Sequence, residues 1–131
     1  MKRYLLIGML CLSTLLCMGQ MPPARHHHRQ PCAEPEQMEM VMQTLKKQSF
    51  DDGKLEIAKL CVCLGTFCVR DLERMAEVFS FDDNRLEFLK FAYHYCTDRE
   101  NYPMLRDAFT FSSNFDKLLD YIYPKNPDRR R

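Results

Sequence analysis

One phrase is written twice in this chain. SFDDGKLEIAKL begins at Ser49, and SFDDNRLEFLKF begins at Ser80, thirty-one residues on. Seven of the twelve positions are identical, and Lys54/Arg85 keep their charge. A worn third copy, Thr110-Phe111-Ser112-Ser113-Asn114, starts thirty residues after the second. Repetition at this period implies supersecondary units that stack, because one unit cannot bury both of its faces alone.

The spacing of apolar residues says what those units are. Met38, Val41, Met42 and Leu45 recur at three and four residues, and so do Val69, Leu72, Ala76 and Phe79. Leu55, Ala58 and Val62, with Ile57, Cys61 and Leu64, form two stripes on one segment; Leu86, Leu89, Tyr93 and Cys96, with Phe88, Phe91 or Ala92, and Tyr95, form two on another. This is helical periodicity with no sustained strand alternation. Six helices are expected, at about 35–47, 50–64, 67–79, 81–96, 101–109 and 112–122. Gly65 is expected to end the second helix in a left-handed conformation. Thr66 is expected to cap the third, and Pro103 sits where a first-turn proline is tolerated. The fold class is all-α: three helix-turn-helix units of about thirty residues, packed as a small helical bundle or short solenoid. The bundle is favoured because three units are few.

Each copy of the phrase falls between two helices. Ser49 and Ser80 are expected to be N-caps, with Asp52 and Asp83 closing capping boxes and Asp51 and Asp82 favoured by the helix dipole. Phe50 and Phe81 are expected to wedge under their turns. These acids could in principle bind a cation, but Lys54 and Arg85 stand where further oxygen ligands would be needed. Capping explains them without metal or catalysis.

The ends of the chain differ from its middle. Lys2 and Arg3, then the apolar run Tyr4–Leu16, then Cys17-Met18-Gly19, have the form of a secretory signal peptide cleaved before Gln20. Its apolar run is too short to span a bilayer comfortably. Residues 20–35 read as a Pro/His-rich linker, 36–123 as the helical domain and 124–131 as a basic tail. Without residues 1–19, Lys+Arg falls from 19 to 17 against 18 Asp+Glu, a near-neutral balance with no bulk attraction for nucleic acid. The expected location is secreted or periplasmic, with no stable membrane span after cleavage.

Five cysteines remain, Cys32, Cys61, Cys63, Cys68 and Cys96. Outside the cytoplasm they are expected to be paired, with one left over. Antiparallel helix pairs would bring Cys68 near Cys96, and Cys32 near Cys61 or Cys63; both alternatives for Cys32 stay open. A loop of about thirty residues would contribute ~3–4 kcal/mol in the chain-entropy model. Cys61-x-Cys63-x₄-Cys68 with His26–His28 could suggest zinc or copper, but the C-x-C spacing fits a structural zinc site poorly. No cofactor and no metal ligand is expected. His94 is the only histidine inside the domain, and adjacent helical positions point apart, so no Cys–His pair is supported locally. No Gly-rich phosphate loop is present.

The phrase SFDD-x-[KR]-LE-x-x-K, the run FSFDDNRLEFLKFAYHYC (79–96) and NYPMLRDAFTFSS (101–113) resemble the secreted family Domain of Unknown Function 4476. The resemblance covers about residues 36–122. It implies a signal peptide followed by this domain near the C-terminus, and an extracytoplasmic location. It carries no assigned activity, so no catalytic residue is transferred. The function expected is that of a protein-interaction or scaffold module with an unidentified protein partner. Tyr93, Tyr95, Tyr102 and Tyr121 are the candidate surface for it. The alternatives are a thiol-redox or hydrolytic enzyme centred on the cysteines and His94, or metal capture by the histidine arm.

Overall fold

The computed structural model describes residues 32–125. Five α-helices follow one another: α1 (Pro35–Lys46), α2 (Asp51–Leu64), α3 (Val69–Ala76), α4 (Asp82–Ala92) and α5 (Ser112–Ile122). A 3-10 turn at Tyr93–Tyr95 extends α4, and a 3-10 segment, Arg99–Ala108, fills the place of the fifth of the six expected helices. Pro103 lies inside that segment. Its missing N–H removes an i→i−4 donor and favours the tighter winding. Among the described residues there is no strand, only a single bridge between Phe67 and Cys96.

The units pair and stack as the repeat requires. α1 packs on α2, α3 on α4, and the 3-10 segment on α5. One layer then runs α1–α3–3-10 segment and the other α2–α4–α5. The result is a small all-α bundle built as three stacked helical pairs. Met38, Val41, Met42 and Leu45 line one face of α1 and are all buried. α4 is buried on two sides through Leu86, Phe88, Leu89 and Ala92, because it lies between α2 and α5. The same two-sided expectation holds only in part for α2, which is the edge of its layer: Leu55, Ala58 and Val62 are buried and Ile57 and Cys61 pack partly buried against the core, but Leu64 is exposed. Four phenylalanines of the repeat, Phe79, Phe88, Phe109 and Phe115, enter the core as two ring pairs with centroids 5.6 Å and 6.3 Å apart. Burying each such ring contributes about 2–3 kcal/mol.

Gly65 is needed for a different reason from the one expected. Its φ is −119°, an extended conformation open to any residue. A Cβ there would lie 2.5 Å from the Phe67 ring and 2.9 Å from the Gln37 amide nitrogen. The glycine makes room for Phe67, a fully buried side chain. Thr66 does not cap α3; Cys68 holds the N-cap position.

Candidate functional site

The repeated phrase does not cap its own helices with side chains. The N-cap residues are Phe50, Phe81 and Phe111, and none makes a side-chain cap hydrogen bond. Ser49 and Ser80 are therefore not the caps. Asp52 and Asp83 are exposed and close no capping box. The acids that matter structurally are Asp51 and Asp82, and they reach forward into the next unit.

Asp51 Oδ2 accepts from the backbone N–H of Ser80 at 2.7 Å and of Phe81 at 3.2 Å, and from the Asn84 side chain at 3.3 Å. Its other oxygen accepts from Lys54 Nζ at 3.0 Å, and that ammonium also donates to the Val78 carbonyl at 3.0 Å. Asp82 repeats the pattern one unit on. Its Oδ1 accepts from Thr110 N–H at 3.1 Å, and its Oδ2 from Phe111 N–H at 2.9 Å and the Asn114 side chain at 3.3 Å. Arg85 donates to Asp82 at 3.0 Å, to the Phe79 carbonyl through two nitrogens, to the Ala108 carbonyl and to the Thr110 hydroxyl. Each aspartate thus supplies an acceptor for the N-cap amide of the next helix and for the amide just before it.

Burial alone would raise both carboxyl pKa values, but the donors outweigh it. For Asp51 the opposing groups are Lys54, Asn84 and the Ser80 and Phe81 amides, and the net shift is downward. For Asp82 the Phe111 and Thr110 amides, with the Asn114 and Thr110 side chains, bring the pKa from 3.8 to about 2. Carboxylates held ionised in this way are poor proton carriers at neutral pH.

The opposite end of the pairs uses the same device with a covalent addition. Asp71 Oδ2 accepts from Ala33 N–H at 2.8 Å and Cys68 N–H at 3.2 Å. Asp98 Oδ1 accepts from Val69 N–H at 2.7 Å, and its Oδ2 from the Asn101 side chain at 3.1 Å. Cys32 and Cys68 form a disulfide. That corrects both expected pairings: Cys68 does not bond Cys96, and Cys32 bonds neither Cys61 nor Cys63. The strap before α1 crosses to the start of α3, where the Asp71 carboxylate already accepts from Ala33. Cys61, Cys63 and Cys96 are free. Cys96 is buried, donates to Asp98 at 3.3 Å, and has its pKa pushed up to about 12 by burial. Such a thiol is a poor nucleophile. Burial also raises Cys61. The Sγ atoms of Cys32 and Cys68 and an Asp71 oxygen lie within 4.8 Å of one another, but the two sulfurs are consumed in the disulfide. His26–His28 lie outside the described residues.

The expected tyrosine surface is divided. Tyr102 is fully buried and donates to the Leu89 carbonyl at 2.7 Å, so it is a core residue. Tyr93 is half-buried against Tyr102, with Arg99 over its ring. Tyr95 and Tyr121 are exposed. Tyr95 stacks on Phe91, and Tyr121 meets His94 Nε2 at 3.3 Å and Lys90 over its ring. His94 is thereby engaged with an aromatic group.

Phe50 and Phe81 do not wedge under their turns as expected; they are 80% and 68% exposed, and Phe111, at the matching place in the third unit, is 65% exposed. They occupy the same position in all three units, on turns that the Asp51 and Asp82 clamps join. The signal lies in the second and third units, where another phenylalanine, Phe79 or Phe109, stands two residues before the exposed ring and fills the core.

Fold and site define a three-unit helical repeat domain whose buried acids lock backbone turns. A profile of the DUF4476 domain of unknown function matches residues 33–122, and the chain belongs to that family. No curated protein and no solved structure matches it significantly.

Proposed function

We propose that the domain is an extracytoplasmic protein-interaction module, and that the row Phe50, Phe81 and Phe111 is its contact edge. Scattered exposed apolar residues need no explanation, but one ring at the same place in every unit of a repeat forms a patterned apolar surface. Repeat domains use such repeated positions for extended contacts. The row carries this reading. A disulfide among the described residues favours an oxidising compartment, in keeping with the leader-like start of the sequence. No helix among the described residues is long and apolar enough to cross a membrane.

The test is site-specific photo-crosslinking in the producing cell, with a benzophenone side chain at Ser80 and, separately, at Tyr121. Crosslinks from Ser80 that vanish in Phe50→Ser/Phe81→Ser/Phe111→Ser support the row. The triple variant should remain folded, because none of the three rings is in the core. Crosslinks from Tyr121 alone, or Ser80 crosslinks unchanged in the triple variant, contradict it.

A further inference from the structure

The charges beside the phenylalanine row indicate what kind of partner it fits. The three rings leave nearly identical extended backbones, at φ/ψ of −115°/143°, −119°/140° and −112°/126°. Consecutive turns touch through the clamps, since the Asp51 carboxylate is 3.2 Å from the Phe81 nitrogen and that of Asp82 is 2.9 Å from the Phe111 nitrogen. Packed helices lie about 8–10 Å apart, which sets the spacing along the row.

Four residues before each ring stand Lys46, Glu77 and Asp107, all exposed. Glu77 and Asp107 both repel the carboxylate of Glu73, in addition to the effect of its burial, so these three acids share one surface. Two residues after Phe81 stands the exposed Asp83. The cations of the repeated phrase, Lys54 and Arg85, are engaged inside the clamps. Arg106 is exposed next to Asp107, while Lys46 and Lys47 lie at the Phe50 end. Along the sequence the Phe50 turn is flanked by Lys46, Lys47 and the exposed Asp52, and the Phe81 turn by Glu77 and Asp83, so the balance is basic at the first ring and acidic at the second.

We propose that the Phe81–Phe111 stretch docks an extended, basic segment of a partner protein, its Lys or Arg side chains lying over the rings and pairing with Glu77, Asp83 and Asp107. This rests on the interaction reading above and adds the chemistry of the partner. Cations favour the faces of aromatic rings, and a carboxylate beside the ring completes the contact. In a polyproline II conformation every third residue falls on one face, with a rise of about 9 Å between them, close to the spacing of the row. The segment should thus carry basic residues three apart.

Selection of random dodecapeptides displayed on phage against the immobilised full chain tests this, with counter-selection on the Phe81→Ser/Phe111→Ser variant. The expected result is enrichment of Lys or Arg at every third position. A selected peptide should lose at least tenfold in affinity for Glu77→Lys/Asp107→Lys, with the melting temperature unchanged. Peptides that need the phenylalanines but lack basic residues, or that ignore the charge reversal, overturn the basic partner and leave the phenylalanine edge standing. If no enriched peptide depends on Phe81 and Phe111, both readings fall.

Discussion

Asp51 and Asp82 close the same kind of junction, the first between units one and two and the second between units two and three, yet the two junctions are built to different depths. Both carboxylates accept two amides of the next turn and an asparagine side chain. Their cationic partners differ. Lys54 reaches its aspartate and one carbonyl, whereas Arg85 reaches its aspartate, two carbonyls and a hydroxyl. A guanidinium has donors for all of these at once; an ammonium on a flexible stem does not. The neighbourhood differs too. α4 sits between two helices of its layer and α2 at the edge. The more densely bonded clamp is therefore the one between units two and three, built on the helix that lies between two others of its layer.

That comparison can be broken experimentally. Asp82→Asn sets an amide N–H₂ against converging donors and should cost about 3 kcal/mol in denaturant unfolding. Asp51→Asn should cost less, about 2 kcal/mol, because its amide bonds are more exposed. Equal losses would erase the distinction between the junctions. Arg85→Lys should cost about 1–2 kcal/mol by leaving carbonyls without donors, while Lys54→Arg should fall within about 0.5 kcal/mol of wild type. Smallest of all, Asp52→Asn and Asp83→Asn should change stability by less than about 0.5 kcal/mol, as expected for exposed acids that close no cap. A loss near 1 kcal/mol from either would restore the conventional capping box.

Acid sharpens the same contrast. The folded pKa of Asp82 lies near 2, below its ordinary 3.8. The stability it contributes is complete above the unfolded value and is lost as pH falls from about 4 toward 2. Asp51 acts in the same direction. Asp82→Asn should flatten the acid limb of the stability curve more than Asp83→Asn does.

Much of the architecture is legible in the residues. The apolar stripes of α1, α3 and α4 predict their buried faces, and the repeat predicts the stacking of pairs. The forward reach of the aspartates is not visible to a local reading, because their amide partners lie 28–30 residues away, about one repeat length. A trace of it is present in the sequence: Asn84 and Asn114 appear in the two turns that receive a clamp, and Gly53 takes that place in the first turn, which receives none among the described residues. The disulfide is hidden from a local reading for a similar reason: antiparallel packing predicts cysteine pairs within one helix pair, but Cys32 lies on a strap that crosses to the next unit. The exposure of Phe50, Phe81 and Phe111 was hidden because ring chemistry alone does not distinguish a core phenylalanine from an edge one.

An acid in one unit holds the backbone of the next. NMR titration of the Asp82 carboxyl carbon, followed together with the Thr110 and Phe111 amide protons, tests it most directly. All three should report one transition near pH 2. A carboxyl that titrates at an ordinary 3.8 and moves only amides of its own helix would contradict the account.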